Sequence, residues 1–130
     1  MQKNDWAGYA RALVRVVLGL LFAEHGFQKL FGLFGGMGGH TAPVWSQLWV
    51  AGVLETLGGT LIVLGLFTRP VAFLLCGEMA VAYFQMHFPH GFWPIQNHGE
   101  PAVLYCFLFL YLCAAGGGPI SFDRLLRRKD

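Results

Sequence analysis

The chain has 130 residues, 55% of them hydrophobic and 12% charged, with a formal net charge of +2. That length holds one domain, and the charged share is half the roughly 25% of ordinary globular domains. The composition cannot clothe a soluble domain this small, and a charge so slight and scattered excludes a basic nucleic-acid surface.

Residues 1–9 are polar, and no small-residue cleavage site follows the first apolar run, so no cleaved signal is expected. Four apolar segments come next, at about 12–34, 44–67, 71–88 and 101–115. The first two reach the roughly 20 residues that a crossing needs. The third is marginal and the fourth short. A buried or re-entrant helix is the alternative for the fourth, but Phe107 to Leu112 is apolar throughout and favours a span. The expected fold is all-α: one polytopic membrane domain over residues 1–130, a four-transmembrane-helix bundle.

The connections fit that count. Gly35 to Pro43 is glycine-rich and reads as a flexible linker. Thr68-Arg69-Pro70 reads as a tight turn with Pro70 at the first helical position. His87 to Glu100 is aromatic and punctuated by Pro and Gly, and Gly116-Gly117-Gly118-Pro119 stops the last segment. In the tail, residues 121–130, Phe122, Leu125 and Leu126 share a face, with Arg124, Arg127, Arg128 and Lys129 around it. Such a segment lies on an anionic membrane surface.

Lys3, Arg11 and Arg15 open the first segment, Arg69 sits in the second connection, and the basic tail follows the fourth. With four crossings these clusters fall on one side, so the positive-inside rule puts both termini in the cytoplasm. The glycine-rich and histidine-rich loops then face outward. Trp45, Trp49 and Trp93 mark the outer interface and Trp6 the inner one.

Glu24, Glu55 and Glu78 lie near the middles of segments one, two and three, and Glu100 opens the fourth. A charge at the bilayer centre costs at least about 2.5–3.5 kcal/mol, so each must pair, take up a proton or face water. At 100° per residue, Arg15, Gly19, Phe22, Gly26 and Lys29 form one stripe, with His25 beside it and Glu24 pointing away. Glu55 shares a face with Gly52, Gly58, Gly59 and Ile62. Glu78 shares one with Ala82 and Gln85, while Met79, Tyr83 and His87 form another. An interior site of His25, Lys29 and Glu55 is expected on the outer half, roofed by His87, Trp93, Asn97 and Glu100. Arg15 and Arg69 read as structural polar groups, Arg15 as an inner-side anchor. The site has two readings: a pocket or proton relay for a small polar or redox-active molecule, or a salt-bridge network, Lys29 with Glu55 or Glu100, that only fixes packing.

No metal site is expected, since His87-Phe88-Pro89-His90 is broken by proline and has no cysteine nearby. Cys76, Cys106 and Cys113 all fall inside segments. Cys106 and Cys113 share a face but lie about 10 Å apart along it, and no C-x-x-C occurs, so thiol chemistry by this chain is not expected. No phosphate loop, nucleophile elbow or dinucleotide fingerprint is present.

The runs R-x9-H-G-F-Q-K-L, G-V-L-E-T-L-G-G, G-L-F-T-R-P, M-A-V-A, F-W-P-x-Q-N-H-G-E and G-G-G-P-I-S-F-D occur in that order along almost the whole chain. In these the sequence resembles the DoxX family of small four-helix bacterial membrane proteins. The resemblance carries over Arg15, His25, Lys29, Glu55, Asn97 and Glu100, and leaves Glu24 and Glu78 without a role. It implies a bacterial inner-membrane location and a link to quinone or thiol redox metabolism or oxidative-stress defence. A quinone is the cofactor it suggests, with His25 and Lys29 as donors and Glu55 exchanging a proton. Catalysis is left open; the enzymatic version is a membrane subunit of a quinone-linked oxidoreductase. The alternative is a non-enzymatic scaffold or assembly partner; a small transporter ranks lower because four helices enclose little. Besides the bilayer, a redox partner protein and a second copy of the chain are the partners left open.

Overall fold

The computed structural model describes residues 5–127. Lys3, Arg128 and Lys129, used above for orientation and for the tail, lie outside the described residues. Every regular element among the described residues is helical. They are α1 (Trp6–Phe31), α2 (Gln47–Leu64), α3 (Thr68–Ala82), a short α4 (Pro94–Asn97), α5 (Glu100–Ala115) and a short α6 (Phe122–Arg127). Beyond α3 the chain stays helical through a π turn, Tyr83–His87, and a 3-10 turn, Phe88–His90.

Three runs are long and apolar enough to cross a membrane: Trp6–Phe31, Gln47–Leu64 and Thr68–His90. At 1.5 Å per residue they extend about 39, 27 and 34 Å, against a hydrocarbon core of about 30 Å. α5 is apolar but has 16 residues, about 24 Å. Leu13, Leu20, Leu57, Phe73, Leu74, Leu104 and Phe107 are among many large apolar side chains on the outside of these helices. In water such a surface would be an aggregation liability; in a bilayer it is the lipid face.

Local capping moves the helix ends from where the apolar runs put them. α1 starts at Trp6, six residues earlier, because Asp5 caps it: its Oδ1 accepts from the Gly8 N–H at 2.8 Å. It stops at Phe31, where Gly32 takes the left-handed conformation (φ 68°) that glycine adopts without strain. α2 starts at Gln47 rather than 44 because the Ser46 hydroxyl accepts from the Trp49 N–H at 3.1 Å, and Gly65 (φ 68°) ends it. α3 begins at Thr68, so Pro70 is its third residue. A proline there removes no intrahelical bond, because the first four N–H groups have no partner in the helix. Asp123 supplies partners instead, its Oδ1 accepting from Phe67 N–H at 2.7 Å and its Oδ2 from Thr68 N–H at 2.9 Å. The glycine-rich connection is more ordered than a linker: Ala42 N–H donates to the Lys29 carbonyl at 2.7 Å, and Met37 N–H to the His40 carbonyl at 2.8 Å.

The chain forms two compact units, residues 5–68 with 117–127, and residues 69–116. In the first, α1 and α2 pack along their length through small residues. A methyl group added at Gly19 would lie 2.7 Å from the Gly59 carbonyl oxygen. One at Gly59 would lie 2.8 Å from Ala23 N, and one at Gly26 2.7 Å from the Gly52 carbonyl oxygen. The two backbones therefore touch along Gly19/Ala23/Gly26 and Gly52/Thr56/Gly59, the small-residue packing of membrane helices. In the second unit, Ala72, Leu75 and Met79 of α3 and Ala102, Phe109 and Leu112 of α5 are the buried apolar positions.

Candidate functional site

Two polar groups mark the two ends of the α1–α2 seam. Towards the C-terminal end of α1, the Lys29 Nζ lies 2.7 Å from both carboxylate oxygens of Glu55. The Glu55 side chain is 4% exposed and that of Lys29 18%. Gly52 makes the approach possible, since a methyl group there would sit 3.0 Å from Lys29 Cβ. The pair is thus embedded in the helix contact, where a lone charge would be costly. The loop bond from Ala42 to the Lys29 carbonyl closes over the same turn, and Ala42 itself is buried.

Fourteen residues earlier, Arg15 is 2% exposed. Its Nε donates to the Ile62 carbonyl at 2.9 Å, and its Nη2 to the carbonyls of Val63 (3.3 Å) and Ile120 (2.7 Å). Nη1 donates to the Gly117 carbonyl. Ile62 and Val63 lie in the last turn of α2, whose carbonyls carry the negative end of the helix dipole; the Ile62 carbonyl also accepts from the capping Gly65 N–H at 3.1 Å. One guanidinium therefore stitches α1 to the end of α2 and to the segment after α5. An anchor at the inner interface would keep its head in water; this one is a buried clamp.

In the second unit Asn97 is 3% exposed and fully engaged. Its Nδ2 donates to the Gly91 carbonyl (2.8 Å) and to Tyr83 Oη (3.2 Å), and its Oδ1 accepts from Gly99 N–H at 2.8 Å. Tyr83 Oη donates onward to the Phe92 carbonyl at 2.7 Å, and His87 Nδ1 lies 3.1 Å from the Asn97 carbonyl. Both Tyr83 and His87 come from the π turn, the kind of irregularity that often marks functional positions. Gly99 has to be glycine, because a methyl group there would lie 2.7 Å from both Asn97 Oδ1 and the Tyr83 ring. Trp93 is exposed, and so is Glu100 in the first turn of α5.

So the first unit joins Lys29 with Glu55, and the second joins Asn97 with His87 and with Tyr83. His25 is exposed on α1. Glu24 is exposed; both carboxylate oxygens of Glu78 are buried. Arg69 is exposed and folds over Gly116, its Nε 3.2 Å from where a methyl group would project. Among the described residues no group of three or more His, Cys, Asp or Glu side chains is set to hold a metal ion. Tyr83, Asp123 and Ala42 escaped the sequence reading. Tyr83 had a signal there in its shared helical face with His87, and Asp123 in closing the G-G-G-P-I-S-F-D run.

The DoxX family model matches residues 10–88, a stretch that includes Arg15, His25, Lys29, Glu55 and His87 and stops before Trp93, Asn97 and Glu100. An uncharacterized protein of Haemophilus influenzae is 41% identical over 128 residues, which span 93% of each chain. An uncharacterized membrane protein of Mycobacterium tuberculosis is 27% identical over 133 residues, covering 89% of this chain and 80% of that one. No solved structure matches it. With well over half the chain under the family model, and the resemblance read from the motifs agreeing with it, this membrane protein belongs to the DoxX family.

Proposed function

We propose that the Lys29–Glu55 pair is a ligand site on the periplasmic half of a bacterial inner-membrane protein, and that its ligand is a quinone-type head group in a redox or stress-defence process. The observation that carries the reading is the buried pair itself. Lys29 Nζ has three N–H bonds, and two are directed at Glu55. Among the described residues the third has no acceptor and can meet a carbonyl oxygen, and the side chain keeps enough exposure to be reached. Glu55, held beside a cation, is placed to exchange the proton that accompanies an electron, and His25 adds a second titratable group nearby. The orientation rests on Arg11, Arg15, Arg69, Arg124 and Arg127, which alternate as the positive-inside rule requires over four crossings, with both termini cytoplasmic. At this pair the electrons would come from a partner protein or pass between bound molecules.

A second reading has its own observation. Both oxygens of Glu55 are already engaged and Arg15 is spent on backbone carbonyls, which is how polar groups serve as glue in a scaffold or assembly partner. Binding of a short-chain benzoquinone to purified protein in lipid nanodiscs separates the two. Saturable binding by the wild type that Lys29→Ala abolishes supports the site; no binding by the folded wild type leaves the scaffold.

A further inference from the structure

The sequence, lacking a C-x-x-C, gave no reason to expect thiol chemistry; the fold brings together two cysteines that are 30 residues apart. Cys76 Sγ on α3 and Cys106 Sγ on α5 are 3.7 Å from each other. A second close contact joins the same stretches of chain. Seven residues along each helix, Tyr83 and Gly99 meet so closely that a methyl group on Gly99 would sit 2.7 Å from the tyrosine ring. Seven residues is two helical turns, about 10.5 Å, so the Cys76/Cys106 and Tyr83/Gly99 contacts lie on the same face of each helix. The two contacts run in opposite chain directions, so α3 and α5 pass each other antiparallel and face the two thiols toward one another. Both cysteines are half-buried, so an acceptor dissolved in the bilayer can approach the sulfurs. A disulfide needs an S–S distance of about 2.05 Å, so the sulfurs must close by about 1.7 Å.

The geometry points to Cys76 and Cys106 as a redox-active dithiol within the membrane that closes to a disulfide, its oxidant a lipid-soluble two-electron acceptor of the quinone class. In the step both S–H bonds break and one S–S bond forms. The two electrons and two protons pass to the two carbonyl oxygens of the quinone, which leaves as the hydroquinone. The disulfide ties α3 to α5 two turns from the Tyr83–Asn97 network, so the oxidised protein holds that loop on a cross-linked support. The inference does not depend on the Lys29–Glu55 pair binding anything, and a thiol count tests it separately.

The test uses the whole protein in nanodiscs with a short-chain, fully ring-substituted benzoquinone. After treatment the protein is denatured in acid, and its free thiols are alkylated and counted by intact mass. Reduced protein takes up three labels. Oxidised protein is expected to take up one, on Cys113, to be 2 Da lighter before labelling, and to release one hydroquinone per chain. Reductant should restore three labels. Cys113→Ser should lose two labels on oxidation as the wild type does, and Cys76→Ser should keep both of its remaining thiols. Three labels after treatment, a bond involving Cys113, or a disulfide joining two chains each overturn the proposal.

Discussion

Replacing Glu55 with glutamine keeps the side chain's shape and removes its charge, leaving the Lys29 ammonium in a cleft where it is 18% exposed. At 2.7 Å and an effective dielectric of about 20, the attraction between the two charges is roughly 6 kcal/mol. Desolvation of both ions offsets the larger part of that, yet removing one partner of a buried pair still costs about 3–5 kcal/mol, because the other charge stays behind. The residual exposure of Lys29 puts the expected loss at the low end, about 3 kcal/mol. Lys29→Met should cost as much or more, since Glu55 is the more buried partner. The double variant should lose less than the sum of the two, by about 1–3 kcal/mol. Denaturant unfolding in bilayer-mimetic discs, followed by tryptophan fluorescence, gives all four corners of the cycle. Two single variants within about 0.5 kcal/mol of wild type, with additive effects, would refute the idea that this pair is desolvated and coupled.

Arg15→Lys should be nearly as damaging as Arg15→Ala, because an ammonium cannot reach four carbonyls spread over α2 and the 117–120 segment; a loss of about 3 kcal/mol is expected from its charged hydrogen bonds, read in the same unfolding assay. Gly59→Leu should separate α1 from α2 and abolish folding. Gly77→Ala, where a methyl group meets nothing within 4 Å, should be neutral or stabilise by up to about 1 kcal/mol through helix propensity. Asn97→Ala should release the loop: hydrogen exchange at Gly99 N–H, which Asn97 caps, should quicken at least tenfold while amides in α1 stay protected. Asp123→Ala should cost about 1 kcal/mol by uncapping α3, whereas Asp123→Asn, which keeps one carbonyl oxygen, should cost less.

Much of this architecture was legible because bilayers impose simple rules. The apolar runs gave the helices, and the stripe of Gly19, Gly26 and Lys29 gave the face on which α1 meets α2. Glu55 among glycines could be read as a packed carboxylate because small residues admit close helix approach. Helix ends were less legible, since they depend on single caps. Asp5 and Ser46 carry that information locally, but an apolar-run reading passes over polar cap residues. Contacts distant in sequence were hidden altogether. Nothing near Asp123 says that it caps a helix more than fifty residues earlier, and nothing near Cys76 names Cys106. Periodicity does not foretell the π turn at Tyr83–His87 either.

The central claim, that the buried Lys29–Glu55 pair meets a ligand, is tested most directly by stability measured with and without a short-chain benzoquinone in the discs. A ligand that binds the folded state stabilises it by about 2.7 kcal/mol at one hundred times its dissociation constant. Wild type should therefore gain stability that rises logarithmically with quinone above its dissociation constant, while Lys29→Ala, folded at lower temperature, should gain none. Equal gains in the two proteins, or none in the wild type, would contradict the claim and leave the pair as the cement of the α1–α2 seam.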